Sequence, residues 1–370
     1  MIIKVNVEDF KKAVADLDLI MKGNQLPILN SLLITAENAA IKLTVNNLNI
    51  KVDKTLPGTV LADGKAVLSR DDLLLLLKMK DTVEMEIEGN QCTVKGTRVF
   101  KFDTFGAAED FPVMPEVPEG EPDFAIYESE LLHCLKLKVI AADAEVDKLR
   151  ALWVNKNNIL ACDGYKLGKI EVQFETSCRF MLPDFVVAYL AKALNKKASS
   201  MVEFWLSDTK SYVKARSESF EITFRQYEGD FLSYEGMFDT AGAKTVVLKK
   251  NQMAEAIAFM CDIGKSGSAK KRKNPVVYTF GGNRLKLAYS VNGKQVNDEV
   301  AYTTPTPETD DIDLTIGFDP FYNYELLSMV ESEQVVMSFK TPYSPSIIRG
   351  DKDSEKYLLL PVRLKDAEAA

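Results

Sequence analysis

The chain has a single histidine, His133, and its five cysteines, Cys92, Cys134, Cys162, Cys178 and Cys261, are scattered with no C-x-x-C pair among them. A Ser-His-Asp or Cys-His device would have only one base to draw on, and no G-x-S-x-G elbow precedes it. A lone histidine on a lysine-bearing helix reads as a solvated or satisfied residue. The odd cysteine set indicates neither a disulfide framework nor a zinc site, so the five read as small core residues. No long apolar run opens the chain either. Met1-Ile2-Ile3-Lys4-Val5-Asn6-Val7-Glu8 already carries charge at Lys4, which excludes a signal peptide or a membrane span there and leads to the expectation of a cytoplasmic protein.

Phosphate and metal signatures fail at identifiable positions. Gly264-Lys265-Ser266 looks like the end of a phosphate loop, but Phe259 stands where its first glycine is needed. Asp351 to Glu355 opens like a calcium loop, yet Lys356 occupies the glycine position of the turn and Val362 the position of the closing glutamate. Glu308 to Asp313 reads as a solvated acidic loop rather than a two-metal site. No catalytic residue, metal or cofactor is expected.

Net positive charge is lacking too. At −8, the chain would make a poor nonspecific coat for nucleic acid unless its lysines were segregated into a stripe. Its apolar fraction of 46% and charged fraction of 27% are those of an ordinary globular protein, so a core can be built several times along the chain. The order of elements, a strand, a lysine-bearing helix and further strands, repeats at about 120 residues, a normal single-domain length. The repeats begin near Ile2, Phe124 and Thr245.

Helical periodicity separates core from basic face in each repeat. Over Asp9 to Met21, Phe10, Val14, Leu17 and Met21 form the inward stripe, with Lys11 and Lys12 off it. Over Ser129 to Ala141 the stripe is Leu131, Leu135 and Val139, flanked by Lys136 and Lys138. Over Asn251 to Ile263 it is Met253, Ile257 and Met260, with Lys249, Lys250 and Lys265 at the ends. A second helix follows in each unit. Ser69 with Asp72 forms a capping box ahead of Leu73 to Leu77, Lys78 and Lys80. Pro183 begins another, with Val186, Leu190 and Leu194 in the core and Lys192 and Lys196 on one edge. Asp319-Pro320 reads as N-cap and first helical residue of a third, with Tyr322, Leu326 and Met329 along one side.

Between the helices, Ile41 to Val45, Val83 to Ile87, Val202 to Leu206 and Leu285 to Tyr289 alternate as strands, and Gly89-Asn90, Asn157-Asn158 and Gly281-Gly282-Asn283 fit hairpin turns. The reading is an α+β chain of six βαβββ half-units, two to each of three similar domains, with linkers at Pro112 to Pro122 and Gly236 to Lys244. The boundaries expected are 1–117, 123–240 and 245–364, followed by a tail at 365–370.

Four segments in register with this repeat carry a resemblance. Leu26-Pro27-Ile28-Leu29 before a strand, Ala107-Ala108-Glu109-Asp110-Phe111-Pro112, Ala161-Cys162-Asp163-Gly164-Tyr165-Lys166-Leu167 and Leu360-Pro361-Val362-Arg363-Leu364 look like the bacterial DNA polymerase III beta subunit family, the sliding clamps. The resemblance implies a DNA clamp fold in which two chains join head to tail as a ring, helices inside and sheets outside, around duplex DNA. It implies a non-catalytic processivity factor that binds DNA topologically, without base contacts, and tethers the replicative polymerase and clamp-loader subunits through short hydrophobic peptides. A lysine-rich lining would meet phosphates while the acidic remainder faces solvent.

Carried over by position, the DNA-facing residues would be Lys11, Lys12, Lys22, Lys78, Lys80, Lys136, Lys138, Lys192 and Lys196, with the loop from Lys22 to Gln25 nearby. The peptide pocket would include Leu149, Cys162, Gly164, Tyr165, Lys166, Leu167, Leu232, Met237, Asp319, Tyr322, Pro345, Leu360, Pro361, Val362 and Arg363. The dimer interface would use Phe100 and Phe102, which alternate with Lys101 on an edge strand, against Ile263 of a second copy. Tyr165 and Lys166 stand where the family usually has histidine and arginine, and Leu232 where proline is common. Lysine lacks arginine's planar fork and tyrosine changes the polarity, so an altered peptide preference is expected. The readings in competition are an enzyme of nucleotide metabolism, a protein scaffold of this fold without DNA, and a basic nucleic-acid arm at Lys270-Lys271-Arg272-Lys273.

Overall fold

The structure, a computed structural model, describes every residue except 197–198, 231, 266–273, 306–311 and 365–370. The basic run from Lys270 to Lys273, most of the acidic cluster from Glu308, Ser266 and the tail from Lys365 therefore lie outside the described residues. Two compact units are present, one of Met1–Leu135 with Gln173–Glu228, the other of Lys136–Val172 with the described residues from Gly229 onward. Both are α+β, with short helices and antiparallel sheets.

In the first unit, one sheet runs in the order Gly58–Ala62, Ile2–Asn6, Thr82–Glu88, Gln91–Lys95, Val99–Asp103. A larger one runs Phe124–Tyr127, Met201–Leu206, Tyr212–Arg216, Glu221–Arg225, Ile50–Leu56, Ala40–Asn46, Ser31–Glu37, Gly64–Ser69. Alternation works as the period of two requires: Val83, Met85 and Ile87 face inward while Glu84 and Glu86 sit between them at the surface. The expected helix over Asp9 to Met21 is two helices, Val7–Val14 and Asp18–Met21. Phe10, Val14, Leu17 and Met21 are nevertheless all buried. The interruption coincides with Asp16, only 6% exposed, whose two carboxylate oxygens accept from Lys54 Nζ at 2.9 and 2.7 Å. A tertiary ion pair thus overrides helical periodicity at this point.

Caps explain the other helix starts. Asn6 Oδ1 accepts from the amides of Glu8 and Asp9, and Ser69 Oγ from that of Asp72 at 3.1 Å, as its capping box predicts. Helix Asp184–Ala193 follows Pro183 and buries Val186 and Leu190, but it ends in an extended Leu194, so Lys196 lies beyond it and does not share a helix edge with Lys192. Over Ser129 to Ala141 the single expected helix is broken by a 3₁₀ turn, Leu135–Leu137, between Glu128–Cys134 and Lys138–Ala141. With about 3.0 residues per turn instead of about 3.6, the buried stripe advances. Leu131 and Leu135 stay inside, Val139 emerges to 40% exposure, and Ile140 takes the inward position.

In the second unit one antiparallel sheet runs Ala151–Asn155, Asn158–Cys162, Lys166–Glu171, Glu355–Leu359, Ser346–Arg349, Gln334–Phe339, Lys244–Lys249, Lys294–Thr303, Arg284–Val291, Val276–Gly281, Thr315–Phe318. Helices Lys250–Lys265 and Pro320–Met329 lie together against it, burying Met253, Ile257, Met260, Leu326 and Met329. Gly282 and Asn283, at φ of 56° and 60°, make the expected hairpin turn. The turn expected at Asn157-Asn158 falls on Lys156-Asn157 instead, since Asn155 pairs with Asn158 and Lys156 takes the positive φ. Asn292-Gly293 forms a further hairpin turn of the same kind that the sequence reading passed over.

Lys54→Met leaves the Asp16 carboxylate buried without its ammonium partner. It is expected to lower stability by about 3 kcal/mol, the scale of a broken buried ion pair. Urea titration measures this, and a loss below about 1 kcal/mol, the scale of a surface pair, would show that Asp16 is solvated.

Candidate functional site

One end of the second unit's sheet collects most of the residues assigned to a pocket. Asp163 and Gly164 turn the chain between two strands: Asp163 Oδ1 accepts from the amides of Tyr165 and Lys166 at 2.7 and 2.6 Å, and Gly164 takes φ +93°, which favours glycine. Lys166 then pairs with Leu359, and Leu359 with Ser346, which sets Tyr165, Leu360 and Pro345 at the same end. The Leu360 amide donates to Tyr165 O at 3.0 Å. Beyond it, the Val362 amide donates to Gly317 O at 2.8 Å, carrying Pro361, Val362 and Arg363 alongside the strand that leads into Asp319.

Asp319 opens helix Pro320–Met329, its Oδ1 accepting from Phe321 and Tyr322 amides at 2.8 and 3.2 Å. That cap directs Tyr322 so that its ring stacks on Tyr165, centroids 5.7 Å apart and planes 22° from parallel. Trp153 pairs with Leu160, so the strand start and the preceding turn Asp147–Leu149, with Leu149, lie toward the Cys162 end. Gly229 lies against the stem of Lys148, so tightly that a Cβ there would come within 2.7 Å of Lys148 Cδ. Met237, 43% exposed, belongs to the turn Glu235–Phe238, whose Phe238 ring lies under Lys169 Nζ at 5.6 Å. Leu167 is buried, and burial pushes the Cys162 thiol up, away from the reactive thiolate form.

Lys166 differs from its neighbours. It is 1% exposed, and its ammonium meets Asp143 at 2.9 Å, Asp163 at 3.4 Å and Glu325 in a short contact. The same nitrogen sits 4.4 Å from the centre of the Tyr322 ring. Burial pulls this ammonium down, but the bonds to Glu325 and Asp143 outweigh it and hold the pKa above the usual lysine value. Burial raises the Asp163 and Glu325 carboxyls, against the pull of Lys166. Sequence reasoning missed this carboxylate cage. Asp163 was recoverable as the turn residue of Asp163-Gly164, whereas Asp143 and Glu325 reach Lys166 only through folding.

The helix lysines occupy two kinds of environment. Lys12, Lys22, Lys78, Lys80, Lys138, Lys192 and Lys196 are exposed. Lys11 bonds Glu8 at 2.6 Å, and Lys12 lies 3.5 Å from Asp9, both as pairs three residues apart on one helix. Lys136 is mostly buried, with its ammonium 2.6 Å from Glu355 and 3.4 Å from Glu331. Lys78 and Lys80 line a hollow with Leu75, Met79, Arg98, Val99 and Phe100.

Phe100 and Phe102 stand on Val99–Asp103, an edge strand of the five-stranded sheet, half-buried with ring centroids 5.0 Å apart. Around them Leu75 is 46% and Val99 67% exposed. On helix Lys250–Lys265 of the second unit, Ile263 is half-buried and Phe259, one turn earlier on the same side, is 59% exposed. Leu75, Val99 and Phe259 were not singled out from the sequence. Phe259 was discoverable, because it falls off the Met253-Ile257-Met260 stripe and onto the face of Ile263.

Comparison with known proteins finds likenesses over nearly the whole chain. Residues 1–115 match the model of the DNA polymerase III beta subunit, N-terminal domain. The chain is 24% identical to the beta sliding clamp of Pseudomonas aeruginosa over 361 residues, covering 92% of this chain and 93% of the relative. It is 21% identical to that of Bacillus subtilis, covering 97% and 96%. Among solved structures, the DNA polymerase beta subunit of Streptococcus pyogenes superimposes with a TM-score of 0.86 at 19% identity, covering 98% of this chain and 100% of that one. A sliding clamp of Pseudomonas aeruginosa bound to griselimycin gives 0.84 at 22% identity, covering 98% and 100%. The fold is that of a DNA clamp.

Gly317 tests how tightly the closing segment is held. A Cβ there would come within 2.6 Å of Leu364 Cδ2 and 3.0 Å of Val362 O. Gly317→Ala is expected to displace residues 362–364 and cost about 1–3 kcal/mol. Hydrogen exchange at the Val362 amide should accelerate; unchanged protection there would show that the segment is not anchored through Gly317.

Proposed function

We infer that this chain, a member of the DNA polymerase III beta subunit family, works as a sliding clamp, a processivity factor of DNA replication. The observation that carries this is the extent of the likeness: sequence similarity to beta sliding clamps runs over more than nine-tenths of the chain. The α+β clamp fold supports it. We propose three domains at 1–117, 123–240 and 245–364, and a head-to-tail pair of chains closing a ring with helices toward the hole. The chain would work in the cytoplasm and carry out no bond chemistry of its own.

Topological retention needs only weak phosphate contacts, since tight ones would arrest sliding. Lys12, Lys22, Lys138, Lys192 and Lys196 suit that role because they are exposed on or beside helices. Lys136 suits it poorly, since Glu355 and Glu331 already neutralise it. Lys192→Glu with Lys196→Glu should therefore steepen the loss of circular DNA with rising salt, and Lys136→Glu should do so much less. Equal effects from the two would place Lys136 in the lining.

Ring closure would bring Leu75, Val99, Phe100 and Phe102 of one copy against Phe259 and Ile263 of the next. An edge strand with exposed apolar residues is a liability in a monomer and is useful at an edge-to-edge interface. Phe259→Asp is expected to yield monomers in sedimentation velocity and to abolish retention on circular DNA. A dimeric Phe259→Asp protein would remove this helix from the interface.

Partner peptides would dock at the sheet end formed by Tyr165, Tyr322, Met237, Leu360, Pro361 and Val362, an apolar surface with a few polar groups. Replicative polymerase and clamp-loader subunits are the proposed owners of those peptides. Griselimycin is bound by clamps of Pseudomonas aeruginosa and Bartonella birtlesii, and it is expected to bind here too. Truncation after Leu359 should abolish that binding while leaving the dimer intact; retained affinity in the truncated chain would move the pocket elsewhere.

A further inference from the structure

We propose that Lys166 is a positioning residue: caged by Asp143, Asp163 and Glu325, its ammonium holds the Tyr322 ring and so presets the Tyr165–Tyr322 pair, without itself touching a docked peptide. The inference rests on the docking reading above and assigns Lys166 a part different from that of a wall residue.

Three observations carry it. The Lys166 side chain has no exposed surface, so it has no charge to present to a ligand at the pocket. Its ammonium is instead the shared point of four contacts, three carboxylates and the Tyr322 ring at 4.4 Å. The carboxylates come from three places in the chain, the turn at Asp163, Asp143 after helix Lys138–Ala141, and Glu325 on the helix that carries Tyr322. Any shift of the ammonium therefore moves the helix bearing Tyr322 relative to the turn bearing Tyr165.

The backbone strengthens this coupling. Lys166 begins a ladder with Leu359, Tyr165 immediately before it accepts from the Leu360 amide, and Asp163 Oδ1 binds the amides of both Tyr165 and Lys166. The two tyrosine rings, the ammonium and the start of the closing segment thus behave as one packed unit. Three carboxylates surround a single ammonium, and burial raises the Asp163 and Glu325 carboxyls. Neutralising Glu325 therefore still leaves Lys166 paired, which makes Glu325→Gln a mild probe of the cage.

The test uses the full-length protein and a double-mutant cycle of Glu325→Gln and Lys166→Met. Fluorescein-labelled griselimycin reports docking by anisotropy, and near-UV circular dichroism of the tyrosines reports the ring pair with no probe present. Glu325→Gln is expected to weaken binding by about three- to tenfold, the scale of coupling between contacting residues, and to change the tyrosine band of the free protein. In the Lys166→Met background it should have no further effect on either. Lys166→Arg, which keeps the charge, should retain both signals and serves if Lys166→Met does not fold.

Additive losses in the cycle, or weaker binding with an unaltered tyrosine band, would overturn the proposal and return Lys166 to direct contact. Failure of the unsubstituted protein to bind the probe would instead refute the docking reading. The dichroism of the free variants would then still decide whether the cage sets the tyrosine pair.

Discussion

The antiparallel register that places Lys166 opposite Leu359, and Leu359 opposite Ser346, is the constraint on which the candidate docking site depends. Tyr357, Leu358 and Leu359 are all buried, so both faces of this strand are packed and a slip of one residue would carry Lys356 or Leu360 into an enclosed position. That burial locks the register, and the register in turn delivers Tyr165, Pro345 and Leu360 to one edge. The cap at Asp319 and the bridge between Gly317 and Val362 add the helix and the last described residues to the same edge. None of these pieces is unusual alone; convergence through hydrogen-bonded backbone is what makes them a candidate site.

Charge follows the same logic. The chain is net acidic, yet its lysines are not interchangeable. Lys54 and Lys136 are committed to carboxylates in partly buried pairs, and Lys166 is wholly enclosed. Exposed lysines such as Lys192, on a helix, and Lys196, beyond its end, have surroundings in which a passing phosphate can be met without a desolvation cost. Surface pairs three residues apart, such as Lys11 with Glu8, are weak enough not to remove a lysine from that pool. The proposed loose hold on DNA would draw on such weakly committed charges.

The exposed apolar residues fall into the same division between completed and uncompleted packing. The core of the Lys250–Lys265 helix is finished by Met253, Ile257 and Met260, so Phe259 contributes nothing to it and remains in water. Val99, on the edge strand of the five-stranded sheet, and Leu75 likewise stay exposed while that sheet's interior is closed by Val83, Met85, Cys92 and Val94. Apolar area left in water at about 25 cal/mol per Å² is a standing drive toward association. The proposed interface between copies would answer it.

Much of this was legible from residue order. The capping boxes, the strands at Ile41 to Val45 and Leu285 to Tyr289, and the stripe Met253-Ile257-Met260 depend on interactions within a few residues, and such local preferences survive folding unchanged. The reading and the structure part in two ways: distant Lys54 pairs with Asp16 at the break after Val14, and a local 3₁₀ turn puts Ile140 rather than Val139 inside. The sequence by itself determined the α+β pattern and the buried stripes of the helices, because periodicity and order encode them. Only the tertiary structure decided that Lys166 is caged rather than presented, that Lys136 is already spent, and that Phe259 is left outside, because burial and ion pairing depend on which remote strands and helices meet.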